Sequence, residues 1–245
     1  MKKVWIASLI LAGIFLTSCG SKGISAEDAG ELFVDRLVYQ KEESKFSKEF
    51  RDGKQAGKEL DENSKAFEEN FAKGLSSTGA QVPEKQANQL TKQLLQQVKE
   101  KATYKIVQID ETKTGATITY YVTGLDLVSA MQEMTRQLVK DTISNPEIAK
   151  DEQKTLEATF SILEERVKAI KIKTDPVALK LHLEKEKGKW FVPDDQKEAV
   201  SNLFMAFISG SSDMDTMNKE LQEALNEVAK EIVDSLDTMP IPNGN

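Results

Sequence analysis

A catalytic or metal centre needs nucleophiles, bases or ligands within reach of one another, and this chain supplies few. Cys19 is its one cysteine and His182 its one histidine. A zinc site draws on several nitrogen and sulfur ligands, and a histidine-based triad needs a base beside its nucleophile, so one residue of each kind builds neither. His182 shares the polar side of a strand pattern with Lys180 and Glu184, which reads as a surface position. Asp213-x-Asp215 has the spacing that opens a calcium loop, but Asn218 stands where that loop needs glycine and the surrounding pattern is helical. Glu42-Glu43, Glu68-Glu69 and Glu164-Glu165 are adjacent pairs on helical patterns. Neighbours on a helix do not face each other, so these are solvated positions and not paired acid and base. There is no Walker-type loop and no Rossmann glycine run. The residues therefore point to no metal, no cofactor and no catalytic constellation.

The chemistry that remains belongs to Cys19. Lys2 and Lys3 are followed by the uncharged run Val4 to Leu16, a positive n-region and an apolar h-region. That run is shorter than the roughly 20 apolar residues a spanning helix needs, so it reads as an export signal. It ends in Leu16-Thr17-Ser18-Cys19. This resembles the lipobox of bacterial lipoproteins: an apolar residue three before the cut, small residues just before it, then cysteine. The resemblance implies cleavage between Ser18 and Cys19 and a diacylglyceryl group on the Cys19 sulfur. It implies location on the extracytoplasmic face of the cell membrane, with the membrane as partner through covalent lipid. Two chains hold where one is marginal, since each buried methylene contributes about 0.8 kcal/mol. Cleavage would also remove Lys2 and Lys3 and leave the remainder two charges more negative than the −7 of the whole chain. No free thiol would remain for a disulfide.

The balance of charge narrows the partners further. A net charge of −7, with only four arginines (Arg36, Arg51, Arg136, Arg166), argues against nucleic acid, because phosphate contacts need a basic surface. Charged residues are 30% of the 245 and hydrophobic ones 39%, which suits a solvated body with a sizeable core.

Periodicity supplies the elements of that body. Ser25 with Asp28 reads as a helix start, and Ala29, Leu32, Phe33 and Leu37 share one face. Phe46 and Phe50 mark a short second helix. Leu60, Phe67 and Phe71 mark a third, broken by the loop Gly74 to Pro83. Ala87, Leu90, Leu94 and Val98 line a fourth. The period then changes to two. Thr103 to Asp110 and Thr114 to Thr123 read as a hairpin, with Ala116, Ile118, Tyr120 and Val122 on one side of the second strand. Asp126 caps a helix running to about Ile143 before Asn145-Pro146, and Leu156, Phe160, Leu163, Val167 and Ile170 mark its antiparallel partner. A second hairpin carries Val177, Leu179, Leu181 and Leu183, turns near Lys187-Gly188 and returns through Trp190. Asp194 or Asp195 is expected to cap the next helix, with Val200, Leu203, Phe204 and Phe207. The last helix, from about Asp213, carries an apolar stripe from Met214 to Leu236. It holds eight acidic residues and two lysines, and either packs on the body or meets a partner protein.

Two hairpins make four strands, too few to enclose a core without helices. The expected fold is α+β: helices packed on one four-stranded antiparallel sheet, with a helical-hairpin insertion and a C-terminal amphipathic helix. The lipobox, the Gly124-x-Asp126 strand ending and the Gly188-Lys189-Trp190 strand opening together resemble an uncharacterised family of Gram-positive lipoproteins. That family's domains resemble cystatin-like or NTF2-like rolls, and the resemblance supplies no catalytic residues. The organisation read here is a signal peptide at 1–18, a tether at 19–24, the α+β domain at 25–210 and an acidic helix and tail at 211–245. The five-residue flexible stretch after Cys19 reaches about 12 Å as a random coil, which keeps the body close to the bilayer. Tyr104, Tyr120 and Trp190 are the residues that would line a small apolar ligand pocket; otherwise they are core aromatics. The leading function is a non-enzymatic, lipid-anchored module that binds a protein partner or small apolar ligand. Two alternatives stand beside it: an NTF2-like enzyme using pocket carboxylates, and a precursor whose cleaved segment Ala12 to Ser18 becomes a signalling peptide.

Overall fold

The computed structural model describes residues 23–77 and 84–237. The lipobox, with Ser18 and Cys19, and the segment Ala12 to Ser18 lie outside the described residues. The elements are α1 (Ala26–Leu37), α2 (Glu43–Glu49), α3 (Gly53–Ser77), α4 (Glu84–Lys101), β1 (Thr103–Glu111), β2 (Gly115–Thr123), α5 (Leu127–Ser144), α6 (Glu152–Lys168), β3 (Val177–Glu186), β4 (Lys189–Phe191), α7 (Lys197–Ser209) and α8 (Met214–Asp237). A 3-10 turn, Asp194–Gln196, joins β4 to α7. The fold is the expected α+β arrangement, with one sheet ordered β1-β2-β3-β4 and every neighbour antiparallel. The helical hairpin α5–α6 is inserted between β2 and β3.

The alternation in β2 decides which way the sheet faces. Ala116, Ile118, Tyr120 and Val122 are all 0% exposed. Their partners on β3 are Leu183, Leu181, Leu179 and Val177, so one apolar face runs across both strands. Helix α1 packs on this face at β1 and β2, and α7 packs on it at β2 and β3. The opposite face is open in part: Tyr121 is exposed, and so is Val107, which sits at a register shift in β1, while Thr119 is buried.

Local sequence explains most boundaries. Ser25 accepts the Asp28 amide at 3.1 Å and starts α1. Asp126 accepts the Ser129 amide at 3.1 Å and starts α5. Lys187 and Gly188 both take positive φ, 51° and 84°, which matches the twist of the β3–β4 turn. Two expectations change. Helix α3 continues to Ser77, through Gly74, where a loop was expected; one glycine inside a helix costs only about 1 kcal/mol. Neither Asp194 nor Asp195 caps α7. The chain leaves Pro193 extended and closes a 3-10 turn instead, with the Gln196 amide on the Pro193 carbonyl at 3.0 Å.

The C-terminal helix packs on the body. Ala224 and Val228 of α8 are buried against α5, and the acidic side is met by cations. Arg136 forks onto Glu231 at 2.8 and 3.0 Å, and Lys173 holds both oxygens of Glu220 at 2.9 and 2.8 Å. Asp213 caps α8 by accepting the Thr216 amide at 2.7 Å, and hydrogen bonds from Ser212 and Thr216 hold its carboxyl below the usual range. The aspartate that has a calcium-loop spacing in sequence is thus a helix cap.

The Gly124-x-Asp126 stretch is the joint of the fold. Leu125 N–H reaches the Phe207 carbonyl at 3.1 Å, Asp126 N–H reaches Lys171 at 2.8 Å, and the Gly124 carbonyl accepts Lys173 N–H at 2.9 Å. Gly124 lies so close to α7 that an added Cβ would sit 1.8 Å from the Ala206 carbonyl oxygen, a backbone atom that cannot swing away. Gly124→Ala is therefore expected to destabilise the protein by about 2–3 kcal/mol, the upper range for overpacking, measured as a lowered urea midpoint.

Candidate functional site

The aromatics picked out by sequence part company in the fold. Tyr120 is fully buried under α1 and donates to the Gly30 carbonyl at 3.1 Å. Tyr104 lies 6.0 Å from Tyr120 between ring centroids, and both belong to a cluster with Tyr39 and Phe207. Tyr39 donates to the Ala102 carbonyl at 2.9 Å. Trp190 lies elsewhere. It is buried, its indole N–H donates to the Ile24 carbonyl at 3.1 Å, and Lys185 stacks over its ring at 4.8 Å. Trp190 therefore fastens Ile24, at the start of the described residues, to the sheet, and none of the three is a wall of the chamber described next.

Burial sets the ionisation of the tyrosine cluster. It pushes the Tyr39 hydroxyl up to about 12, with the Asp35 carboxylate adding to the rise. The same cause raises Tyr104 and Tyr120 further. Asp35 is itself raised by its partial burial, and it borders this cluster.

One chamber among the described residues lies between α1, α3 and α7 and takes up about 630 Å³. Its back wall is Phe33 of α1 with Phe46 and Phe50, the last two stacked at 4.2 Å. Leu60 and Phe67 of α3 form one side, and Val200 and Phe204 of α7 the other, with Phe67 meeting Phe204 edge-on at 5.5 Å. The volume falls within the roughly 300–1,000 Å³ of pockets that take small ligands, and the walls are mainly aromatic and aliphatic. Toward solvent the chamber leads into a polar vestibule. The two share seven residues, Arg51, Ala56, Glu59, Phe191 and Asp194 among them, and the vestibule adds Asp52 and Gln55. Arg51 lies over the Phe191 ring at 3.5 Å and pairs with Glu186 at 3.0 Å.

Two inner ties keep this chamber in shape. Arg36, almost fully buried, crosses from α1 to α3, where it donates to the Gly57 carbonyl at 3.0 Å and pairs with Asp61. The Arg51 amide donates to the Trp190 carbonyl at 2.7 Å and fixes the vestibule to β4. Sequence reasoning placed Phe33, Phe46, Phe50 and Phe67 on helix faces and not around a cavity. The usable signal was density: five of the ten phenylalanines fall between residues 33 and 71.

Other chemistry is sparse. His182 sits half-buried on the outer face of the sheet, with Nδ1 3.2 Å from the Thr117 hydroxyl. Among the described residues there is no group of three or more His, Cys, Asp or Glu placed to hold a metal ion. Among them, too, no helix is long and apolar enough to cross a membrane.

The tyrosine cluster makes one measurable statement about pH. Below the ordinary tyrosine value of about 10 both folded and unfolded chains keep these protons. From there to about 12 the unfolded chain releases protons that Tyr39 retains, and Tyr104 and Tyr120 hold theirs higher still. Folding stability is thus expected to fall as pH rises through this window. Urea midpoints taken across it should drop, and tyrosinate absorbance from these three residues should appear together with unfolding.

Comparison with known proteins agrees with this architecture. The crystal structure of a Bacillus subtilis protein, ycdA, described as a candidate lipoprotein, superposes with a TM-score of 0.53 at 13% identity. The match covers 74% of this chain and 55% of that one, so this chain corresponds to little more than half the length of its neighbour. At that identity the likeness is one of fold. No curated protein matches the chain. A family model described as a domain of unknown function, DUF5105, matches residues 16–208, from Leu16 to one residue short of the end of α7, with α8 outside it. With well over half of its length matched, the chain belongs to the DUF5105 family.

Proposed function

We propose that this protein is a lipoprotein of the extracytoplasmic membrane face, anchored by a diacylglyceryl group on Cys19, whose α+β body is a non-enzymatic binding module for a small apolar ligand. The observation that carries the binding half is the phenylalanine-walled chamber between α1, α3 and α7, about 630 Å³ in volume. The anchoring half is supported by Leu16-Thr17-Ser18-Cys19 at the end of an apolar run, and by a neighbour in fold that is described as a candidate lipoprotein. The carboxylates at the chamber mouth, Glu59, Glu62 and Asp194, are exposed residues. A buried carboxyl facing the ligand space is what an acid–base enzyme would need. Asp35, the carboxyl that burial raises, borders the tyrosine cluster and is not a wall of the chamber.

Both halves can be read in one set of preparations. The chain expressed with its signal is expected in the membrane fraction, beginning at Cys19 with the mass of a diacylglyceryl group. Cys19→Ala should leave it uncut or release it from the membrane. The purified full chain should take up the apolar dye N-phenylnaphthylamine with enhanced fluorescence, and Ala56→Trp, at the chamber mouth, should abolish the enhancement. A wild-type chain cut without lipid, or a dye signal untouched by Ala56→Trp in a folded variant, would refute the corresponding half.

A further inference from the structure

We infer that the ligand is a phospholipid with a zwitterionic head, its acyl chain in the chamber and its head in the vestibule, taken from the membrane beside the anchor. The inference rests on the anchored-module reading above and names the ligand class for the same site.

The first argument is the pairing of two spaces. An apolar chamber walled by Phe33, Phe46 and Phe67 opens through a shared mouth into a depression lined by Arg51, Asp52, Gln55 and Asp194. An apolar tail joined to a polar head is the chemistry that suits both, because most of the chamber wall is aromatic or aliphatic, with Asn63, Ser64, Asn70 and Ser201 as its uncharged polar exceptions, and charged groups gather at the mouth. A wholly apolar molecule would leave the vestibule's polar groups unused.

The second argument is charge. The mouth carries Glu59, Glu62 and Asp194 against Arg51 and Lys197. Three carboxylates among two cations offer contacts to an ammonium and a phosphate on the same head. Arg51 and Lys197 are held by Glu186 and Asp194 only in exposed ion pairs, which a phosphate can displace at little cost, whereas the surplus carboxylates Glu59 and Glu62 would meet the ammonium of the same head; a singly anionic head carries no group to meet that surplus.

The third argument is how Gly23 and Ile24 are held. The described residues begin at Gly23, packed against the β3–β4 turn so tightly that an added Cβ would lie 2.3 Å from the Gly188 carbonyl oxygen. Ile24 is gripped there by Trp190 and Lys185, at 3.1 and 3.2 Å. Trp190 is followed by Phe191, a wall of the chamber and the ring on which Arg51 lies. Cys19 is four residues before Gly23, a span of at most about 14 Å. The anchor thus holds β4, and with it the vestibule, next to the bilayer surface. A tether that short keeps the mouth within reach of phospholipid in the same bilayer.

The test uses the full, acylated chain reconstituted in phosphatidylcholine vesicles. These carry a small fraction of phosphatidylethanolamine with a photoactivatable group in its acyl tail. After irradiation the labelled peptides are expected from α3 and α7, around Phe67 and Phe204. The phosphatidylglycerol analogue should label them about tenfold less, the factor that 1.4 kcal/mol of preference brings. Ala56→Trp should remove the cavity label. Should that variant fail to fold, the distribution of label along the wild-type chain decides alone. Label confined to α8 or to the outer face of the sheet, or equal label from both lipids, overturns this inference while Cys19 acylation and dye binding leave the anchored module standing. An unacylated Cys19, or no dye binding at all, overturns that reading and this inference with it.

Discussion

Tyr120 donates its buried hydroxyl to the carbonyl of Gly30, and the arrangement of the helices follows from that contact. A phenol in the middle of an apolar sheet face must find an acceptor or lose about 1–3 kcal/mol of hydration without return. Its partner is the backbone of α1, which must therefore lie close on β2. The approach works because residue 30 has no side chain: a Cβ there would fall 2.6 Å from Ile118 Cδ1 and 2.8 Å from the Tyr120 oxygen. With one side of α1 pressed to the sheet, its other sides carry Phe33, Arg36 and Leu37 outward to α2 and α3. Arg36 then sets the distance to α3 through Gly57 and Asp61. The chamber is the space these two fixed separations leave under α7. It is bounded by the tie from buried Arg36 to the half-exposed Asp61 on one side and by a close helix–sheet contact on the other.

The order and direction of these elements were legible in the sequence, and the chamber was not. In β2 the period of two ran for nine residues with Ala116, Ile118, Tyr120 and Val122 on one side, and every one of them is buried. Ser25 and Asp126 were readable as caps because the signal lies within four residues. Asp194 and Asp195 carried the same local signal and failed, because the backbone leaving Pro193 closed a 3-10 turn first. Trp190 was readable as an amphipathic aromatic, but its partner is Ile24, 166 residues away, and no local pattern records such a pairing. Cavities are harder still. Periodicity says that Phe46 and Phe67 face inward; it does not say how far apart two helices stand when both do.

Helix α8 shows the limit of charge as a guide. Its acidic excess is answered by cations of the body, at Arg136 and Lys173. Exposed ion pairs each contribute only about 0–1 kcal/mol, so those contacts choose where α8 lies more than they hold it there. Adhesion comes from its apolar side, where Ala224 and Val228 are buried. None of its residues is a wall of the chamber, and the family match ends before it begins. The chamber and its ties, Arg36, Asp61 and Trp190, all lie within the matched part.

Strand β4 is only three residues long, yet three separate demands meet on it. As an edge strand it would offer unpaired backbone to any passing chain. The structure covers that edge with its own α2–α3 corner, through the Phe50–Trp190 bridge and the Arg51 amide on the Trp190 carbonyl. The same corner brings Arg51 over Phe191 and so builds the chamber mouth. The indole of Trp190, on the inner face, fastens Ile24 and fixes the point from which the chain runs back toward Cys19. Protection of an edge, shaping of a mouth and fastening of the N-terminal segment are therefore one set of contacts. A change that loosened β4 would disturb all three together, whereas a change in α8 would leave them in place.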